Sequence, residues 1–164
     1  MDLLKAYSKI LIEYQAALVF LGDGVLRSSL EAFVKANNFH NVYFTGFKNQ
    51  TEMPELYALA DILVLPSEIE PWGLVVNEAM CFGLPIIVSD KVGAGGNLVK
   101  SGVNGFIYSA GNIESLVSVL KILLADKNKM LDFGKASKEL IKKWSYEEGI
   151  NGILACLKMI KGIQ

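Results

Sequence analysis

The chain has 164 residues, of which 52% are hydrophobic and 20% charged, with a formal net charge of −1 at pH 7. Such a length and apolar content support a substantial buried core and argue against disorder. The near-neutral balance gives no reason to expect nucleic-acid binding, no apolar run is long enough to span a bilayer, and Met1-Asp2-Leu3-Leu4-Lys5 lacks the features of a secretory signal.

Residues 2–15 carry Leu3, Leu4, Tyr7, Ile10, Leu11 and Tyr14 at a helical period, which predicts an amphipathic helix with one buried face. Ala17-Leu18-Val19-Phe20-Leu21 is a continuous apolar run ended by Gly22, the pattern of a strand in a parallel sheet. A helix is predicted over 25–37, with Leu26, Leu30, Phe33 and Val34 facing inward and Asn37-Asn38 as its stop. Val42-Tyr43-Phe44 makes the next strand, and 55–60 a short helix with Pro54 in its first turn. Ile62-Leu63-Val64-Leu65, ended by Pro66, is a third strand. A helix over 73–82 and a strand over 85–88 follow. The segment Val92-Gly93-Ala94-Gly95-Gly96 holds too much glycine for a regular element. A short strand is expected over 106–108, then helices over 112–125, 127–142 and 146–162, the last opened by Ser145 and Glu148 at capping-box spacing. Alternation of strand and helix gives an α/β fold class: a parallel sheet with right-handed crossovers and helices on its faces.

Cys81 and Cys156 are far apart, each in an apolar helical context. Buried reduced thiols and a cytoplasmic setting are expected, and neither a disulfide nor a metal site. The lysines between Lys121 and Lys143 are interspersed with acids and are expected on solvated helical faces. His40, the only histidine, is expected on a solvated turn.

The run Ser67–Pro85, SEIEPWGLVVNEAMCFGLP, carries the most chemistry. Glu70 and Glu78 stand eight positions apart, separated by the turn-forming Pro71-Trp72-Gly73 and the start of a helix. The order is strand, loop with one acid, helix N-terminus, helix with a second acid. In an open α/β sheet, ligands collect beyond the carboxyl ends of the strands, where this loop is expected. Free N–H groups in the first helical turn suit a phosphate, and the two carboxylates suit neighbouring hydroxyls. Phosphate and many hydroxyls together describe a nucleotide sugar.

These residues resemble the glycosyl transferases group 1, retaining enzymes of the GT-B architecture with two facing Rossmann-like domains. The resemblance rests on Pro66-Ser67, the Glu70 to Glu78 spacing with Ala79-Met80 and Gly83-Leu84-Pro85, and four further matches in order. These are Leu21-Gly22-Asp23-Gly24, Asn41-Val42-Tyr43-Phe44-Thr45-Gly46, Tyr57-Ala58-Leu59-Ala60-Asp61 and Gly102-Val103-Asn104-Gly105-Phe106. It implies that residues 1–164 form one nucleotide-sugar-binding domain, the C-terminal, donor-binding half of such an enzyme. It assigns Glu70 to the transferred sugar, as an electrostatic catalytic group, and Glu78 to the ribose hydroxyls. The N–H groups of Gly73, Leu74 and Val75 are the expected donors to phosphate or sugar oxygens, with Gly73 equally open to a purely structural role. Gly46 matches a backbone contact to the base, with a plain turn as the alternative, and Trp72 is expected to pack. Gly22 and Gly24 are expected to shape the crevice floor.

The same resemblance implies transfer of a hexosyl group without metal or cofactor, the nucleotide sugar being substrate. The acceptor implied is a saccharide or glycolipid of cell-surface polysaccharide synthesis, held by an N-terminal domain. Localisation at the inner face of a membrane, through peripheral association of a full-length enzyme, is compatible with it. The family's opening strand, with a Gly-Arg turn and a Lys that grip the diphosphate, is expected to lie outside the chain and to be central in the sheet. Arg27, the only arginine, is expected to be a surface or packing residue. A dinucleotide-binding dehydrogenase fails because Arg27 stands at the third glycine position and Thr45-Gly46 replace the acid after the second strand. A sugar-nucleotide epimerase relative and a non-catalytic nucleotide-sugar-binding module remain alternatives. For the isolated chain, little or no transferase activity is expected.

Overall fold

A computed structural model describes residues 1–161. Five short strands are described: β1 (Leu18–Phe20), β2 (Val42–Phe44), β3 (Leu63–Leu65), β4 (Ile86–Ser89) and β5 (Gly105–Tyr108), with a helix between each consecutive pair except β4 and β5, where the glycine-rich loop replaces the expected alternation. The helices are α1 (Asp2–Ile10), α2 (Arg27–Ala36), α3 (Met53–Leu59), α4 (Leu74–Cys81), α5 (Ile113–Leu124), α6 (Lys127–Ile141) and α7 (Tyr146–Lys161), with a 3-10 turn at Lys142–Trp144. The expected last helix reached 162, which lies outside the described residues.

All strand pairing is parallel, in two ladders: β1 with β2, and β3–β4–β5 in that order. Among the described residues no ladder joins β1 to β3. Leu18 and Phe20 of β1 and Val64 of β3 nevertheless pack against one shared apolar cluster. Phe20 and Phe44 stack across the first ladder at 5.0 Å between ring centroids.

The β4 strand is buried along its whole length because alternate side chains enter different cores. Ile86 and Val88 join Val76, Met80, Leu84, Leu98 and Val99 on one face. Ile87 joins Ile10, Tyr108, Leu116, Leu120 and Leu123 on the other. Helix α1 packs on α5, and α4 on α6. Asn112 and Asp126 cap α5 and α6 by accepting from the N–H groups of Ser115 and Lys129 at 2.9 and 3.0 Å. Ser145 Oγ accepts from Glu148 N at 3.2 Å, as the capping spacing predicts.

Three expectations need correction. Helix α1 ends at Ile10, not residue 15, because the chain must turn back into β1, and the Tyr7 hydroxyl clamps that turn by donating to Ala16 O at 2.7 Å. Leu26 does not face inward; it is 58% exposed, on a helix that has no buried residue. Both cysteines are exposed. Cys156 lies on α7, whose apolar residues Ile150, Ile153, Leu154 and Leu157 are each about half exposed or more among the described residues, so an apolar context there does not mean burial.

Tyr108 ends β5 inside the core, and burial, with Asp2 and Asp90 nearby, pushes its hydroxyl up to about 12. The fold accommodates its neutral form. That contribution is complete below the unfolded tyrosine value of 10.0 and is lost as pH rises through about 12. Tyr108→Phe should therefore flatten the decline of the urea midpoint across this alkaline window, and a variant as alkali-sensitive as the parent would discount Tyr108 as the cause.

Candidate functional site

Strands within each ladder run parallel, so the loops after β3 and β4 emerge at the same edge. Three backbone bonds zip them together: Glu70 N to Lys91 O at 3.2 Å, Gly93 N to Glu70 O at 2.9 Å, and Ala94 N to Trp72 O at 2.8 Å. The pairing of β3 with β4 thus continues past the strand ends. It requires glycine at 93, where a Cβ would stand 1.9 Å from the Pro71 carbonyl oxygen. The glycine content that marks 92–96 as irregular therefore has a steric cause.

Helix α4 begins directly from this zipped loop. Gly73 is its N-cap, with φ of 91°, a left-handed conformation that side chains other than glycine adopt at a cost. A Cβ there would also meet Leu65 Cδ2 at 3.0 Å and Val92 Cγ1 at 3.2 Å. Among the described residues, no side chain caps α4. The N–H groups of Gly73, Leu74 and Val75 have no acceptor among the described residues, and they form the positive end of the helix dipole. Glu70 packs beside them, its Cγ 3.4 Å from the place a Gly73 Cβ would take. Its Oε1 accepts from Trp72 N at 3.3 Å, which fixes the carboxylate on its own loop. Trp72 packs as expected: its indole N–H donates to Asn77 Oδ1 at 3.0 Å, and its ring lies 5.4 Å from that of Trp144.

Glu78 stands one turn further along α4, on the stripe of Leu74 four residues before it. It is solvent-exposed. Its Oε2 accepts from the Tyr57 hydroxyl at 2.7 Å. Tyr57 is 4% exposed and stacks on Phe82 at 5.5 Å. Burial first, then the Glu78 carboxylate, push its hydroxyl well above the ordinary tyrosine range, so it stays a donor. Tyr57 opens the run Tyr57-Ala58-Leu59-Ala60-Asp61, and no local pattern in that run marks its hydroxyl as functional.

Gly46 stands in the other ladder, past the end of β2, where its carbonyl accepts from Gly22 N at 3.2 Å. The structure thus brings Glu70, Gly73, Leu74 and Val75 together with Glu78 one turn away, and sets Gly46 on a separate loop. Arg27 covers Gly46: its Nη1 lies 3.3 Å from the position of a Cβ there. Asp23 and Glu31 hold its guanidinium at 2.8 Å each. The carboxyl of Asp23 is held below its ordinary value by the Gly24 N–H and by Arg27. Arg27 is therefore a packing residue, as expected.

A parallel α/β domain with loops and a helix N-terminus gathered at its strand ends is Rossmann-like, the architecture of one half of a GT-B protein. The chain matches the family described as Glycosyl transferases group 1 over residues 1–140, and it belongs to that family. It is 34% identical over 149 residues to sulfoquinovosyl transferase SQD2 of Arabidopsis thaliana, covering 89% of this chain and 28% of that protein. It is 32% identical over 143 residues to N-acetyl-alpha-D-glucosaminyl L-malate synthase of Bacillus anthracis, covering 85% of this chain and 36% of that one. Among solved structures, sucrose-phosphate synthase from Thermosynechococcus elongatus superposes with a TM-score of 0.84 at 25% identity, over 99% of this chain and 42% of that chain. Anabaena HepE in complex with UDP-glucose superposes with a TM-score of 0.77 at 26% identity, over 87% of this chain and 40% of that chain. The chain thus spans about a third of the two sequence relatives. Among the described residues, no helix is long and apolar enough to cross a membrane.

Proposed function

We propose that residues 1–164 are the donor-binding domain of a retaining glycosyltransferase, which holds a nucleoside-diphosphate sugar while its hexosyl group passes to an acceptor. One observation supports this above the rest: the Glu70 carboxylate beside the unpaired N–H groups of Gly73, Leu74 and Val75, with Glu78 one turn away. In this reading the helix N-terminus takes phosphate oxygens, and Glu78 accepts from the ribose hydroxyls. Glu70 accepts from the sugar and supports positive charge developing at its anomeric carbon. The backbone at Gly46 meets the base. HepE's complex with UDP-glucose supports a nucleotide-sugar donor. The acceptor in this reading is a saccharide or glycolipid of cell-surface polysaccharide synthesis, bound by a second domain, and transfer needs no metal. Closing two domains over donor and acceptor excludes water, so the isolated chain should bind donor with little or no transfer.

Calorimetry with nucleoside diphosphates and their sugars tests the assignments. Glu78→Gln should weaken both ligands by about five- to tenfold, because a neutral amide accepts less strongly from two hydroxyls. Glu70→Ala should leave the free nucleotide unchanged and weaken only the sugar nucleotide. Equal losses for both ligands at Glu70, or unchanged affinity at Glu78, contradict these roles. A second reading, a non-catalytic binding module, is favoured by one feature: Asp23 and Glu31 occupy the only arginine, so it is not free to clamp a diphosphate. Glycosyl transfer by the purified chain would exclude the module.

A further inference from the structure

We infer that Tyr57 is a positioning residue for nucleotide recognition, locking the Glu78 carboxylate so that its outer oxygen is aimed at vicinal hydroxyls of the ligand. The inference rests on the ribose role proposed for Glu78. Glu78 is an exposed glutamate on a helix surface, with three side-chain torsions free to wander. Such a side chain loses rotamer freedom when it binds, which weakens affinity unless the loss is met beforehand. Tyr57 meets it. The hydroxyl donates to Oε2 at 2.7 Å, while Oε1 has no partner among the described residues. One oxygen is thus anchored to the protein, and the lone pairs of the other are left to the solvent side.

The anchor is itself rigid. Tyr57 is 4% exposed, packs in the core with Val76, Ala79 and Met80, and is stacked on Phe82. It belongs to α3, which precedes β3, whereas Glu78 belongs to α4, which follows it. The bond therefore ties two consecutive crossover helices across the strand whose end carries the Glu70 loop. A tyrosine needed only for core filling would do as well as phenylalanine; the hydroxyl is explained by the carboxylate it reaches.

Tyr57→Phe keeps the ring and removes only the donor. The chain is titrated calorimetrically with UDP, GDP and ADP, and the tightest of these is compared with its 2′,3′-dideoxy analogue in the parent, Tyr57→Phe and Glu78→Gln proteins. In the parent, the ribonucleotide should bind more tightly than the dideoxy form. Tyr57→Phe should weaken the ribonucleotide by about fivefold, the scale of one lost hydrogen bond, and leave the dideoxy form unchanged. An equal loss on both ligands, or no loss, would reduce Tyr57 to a structural role. If Glu78→Gln narrows the ribo-to-dideoxy ratio and Tyr57→Phe does not, the inference falls and the ribose role stands. If Glu78→Gln leaves the ratio intact, or no nucleoside diphosphate binds, the ribose role falls and takes this inference with it.

Discussion

Gly93→Ala should destabilise the protein by about 3 kcal/mol or more and abolish sugar-nucleotide binding. The new methyl group would stand 1.9 Å from the Pro71 carbonyl oxygen and 3.2 Å from Trp72 Cα, both backbone atoms that no rotamer change can move aside. The two loops must part, and with them go the bonds from Gly93 N to Glu70 O and from Ala94 N to Trp72 O. Overpacking and two lost hydrogen bonds together give that figure, which corresponds to a fall of about 6–12 °C in Tm for a domain of this size. Function suffers separately, because the same bonds hold Glu70 against the start of α4. Gly24→Ala is the matched control, since nothing lies within 4 Å of a Cβ at that position. Thermal melts in which both variants behave alike would refute the zipped-loop account.

Ile87→Ala should cost about 2–5 kcal/mol. Ile87 is fully buried in the middle of the three-stranded ladder, flanked by Val64 on β3 and Phe106 on β5 in register. It is the β4 side chain that enters the core beneath α1 and α5, and Ile86 and Val88 point to the opposite face and cannot fill the space it leaves. Both the transfer energy of the lost atoms and the cavity contribute to the loss. Val25, 99% exposed, supplies the contrast: Val25→Ala should stay within about 0.5 kcal/mol of the parent. Chemical denaturation giving a small change at Ile87 would mean that β4 is not the two-sided core strand described here.

Elements whose signal is local were legible without coordinates. The run Val42-Tyr43-Phe44 is a strand in the expected bounds, and the starts of α5, α6 and α7 agree with their capping residues to within one position. Periodicity and capping depend on neighbours within about one helical turn, and the one-dimensional order of residues contains them. The acids, the loop glycine and the helix start were legible as a linked set for the same reason, being close in the chain. Burial was not. Cys81 and Cys156 sit among apolar neighbours yet are exposed, because burial depends on whether another element lies over them. Nor was the bond from Tyr57 to Glu78 legible, since twenty-one positions separate its ends and only the packing of α3 and α4 brings them within 2.7 Å. Gly93 shows the division at one residue: its presence marks a loop from composition alone, while the carbonyl that forbids any larger side chain comes from a loop more than twenty positions earlier. Contacts of that kind arise when crossovers fold back on the sheet, and tertiary packing alone decides them.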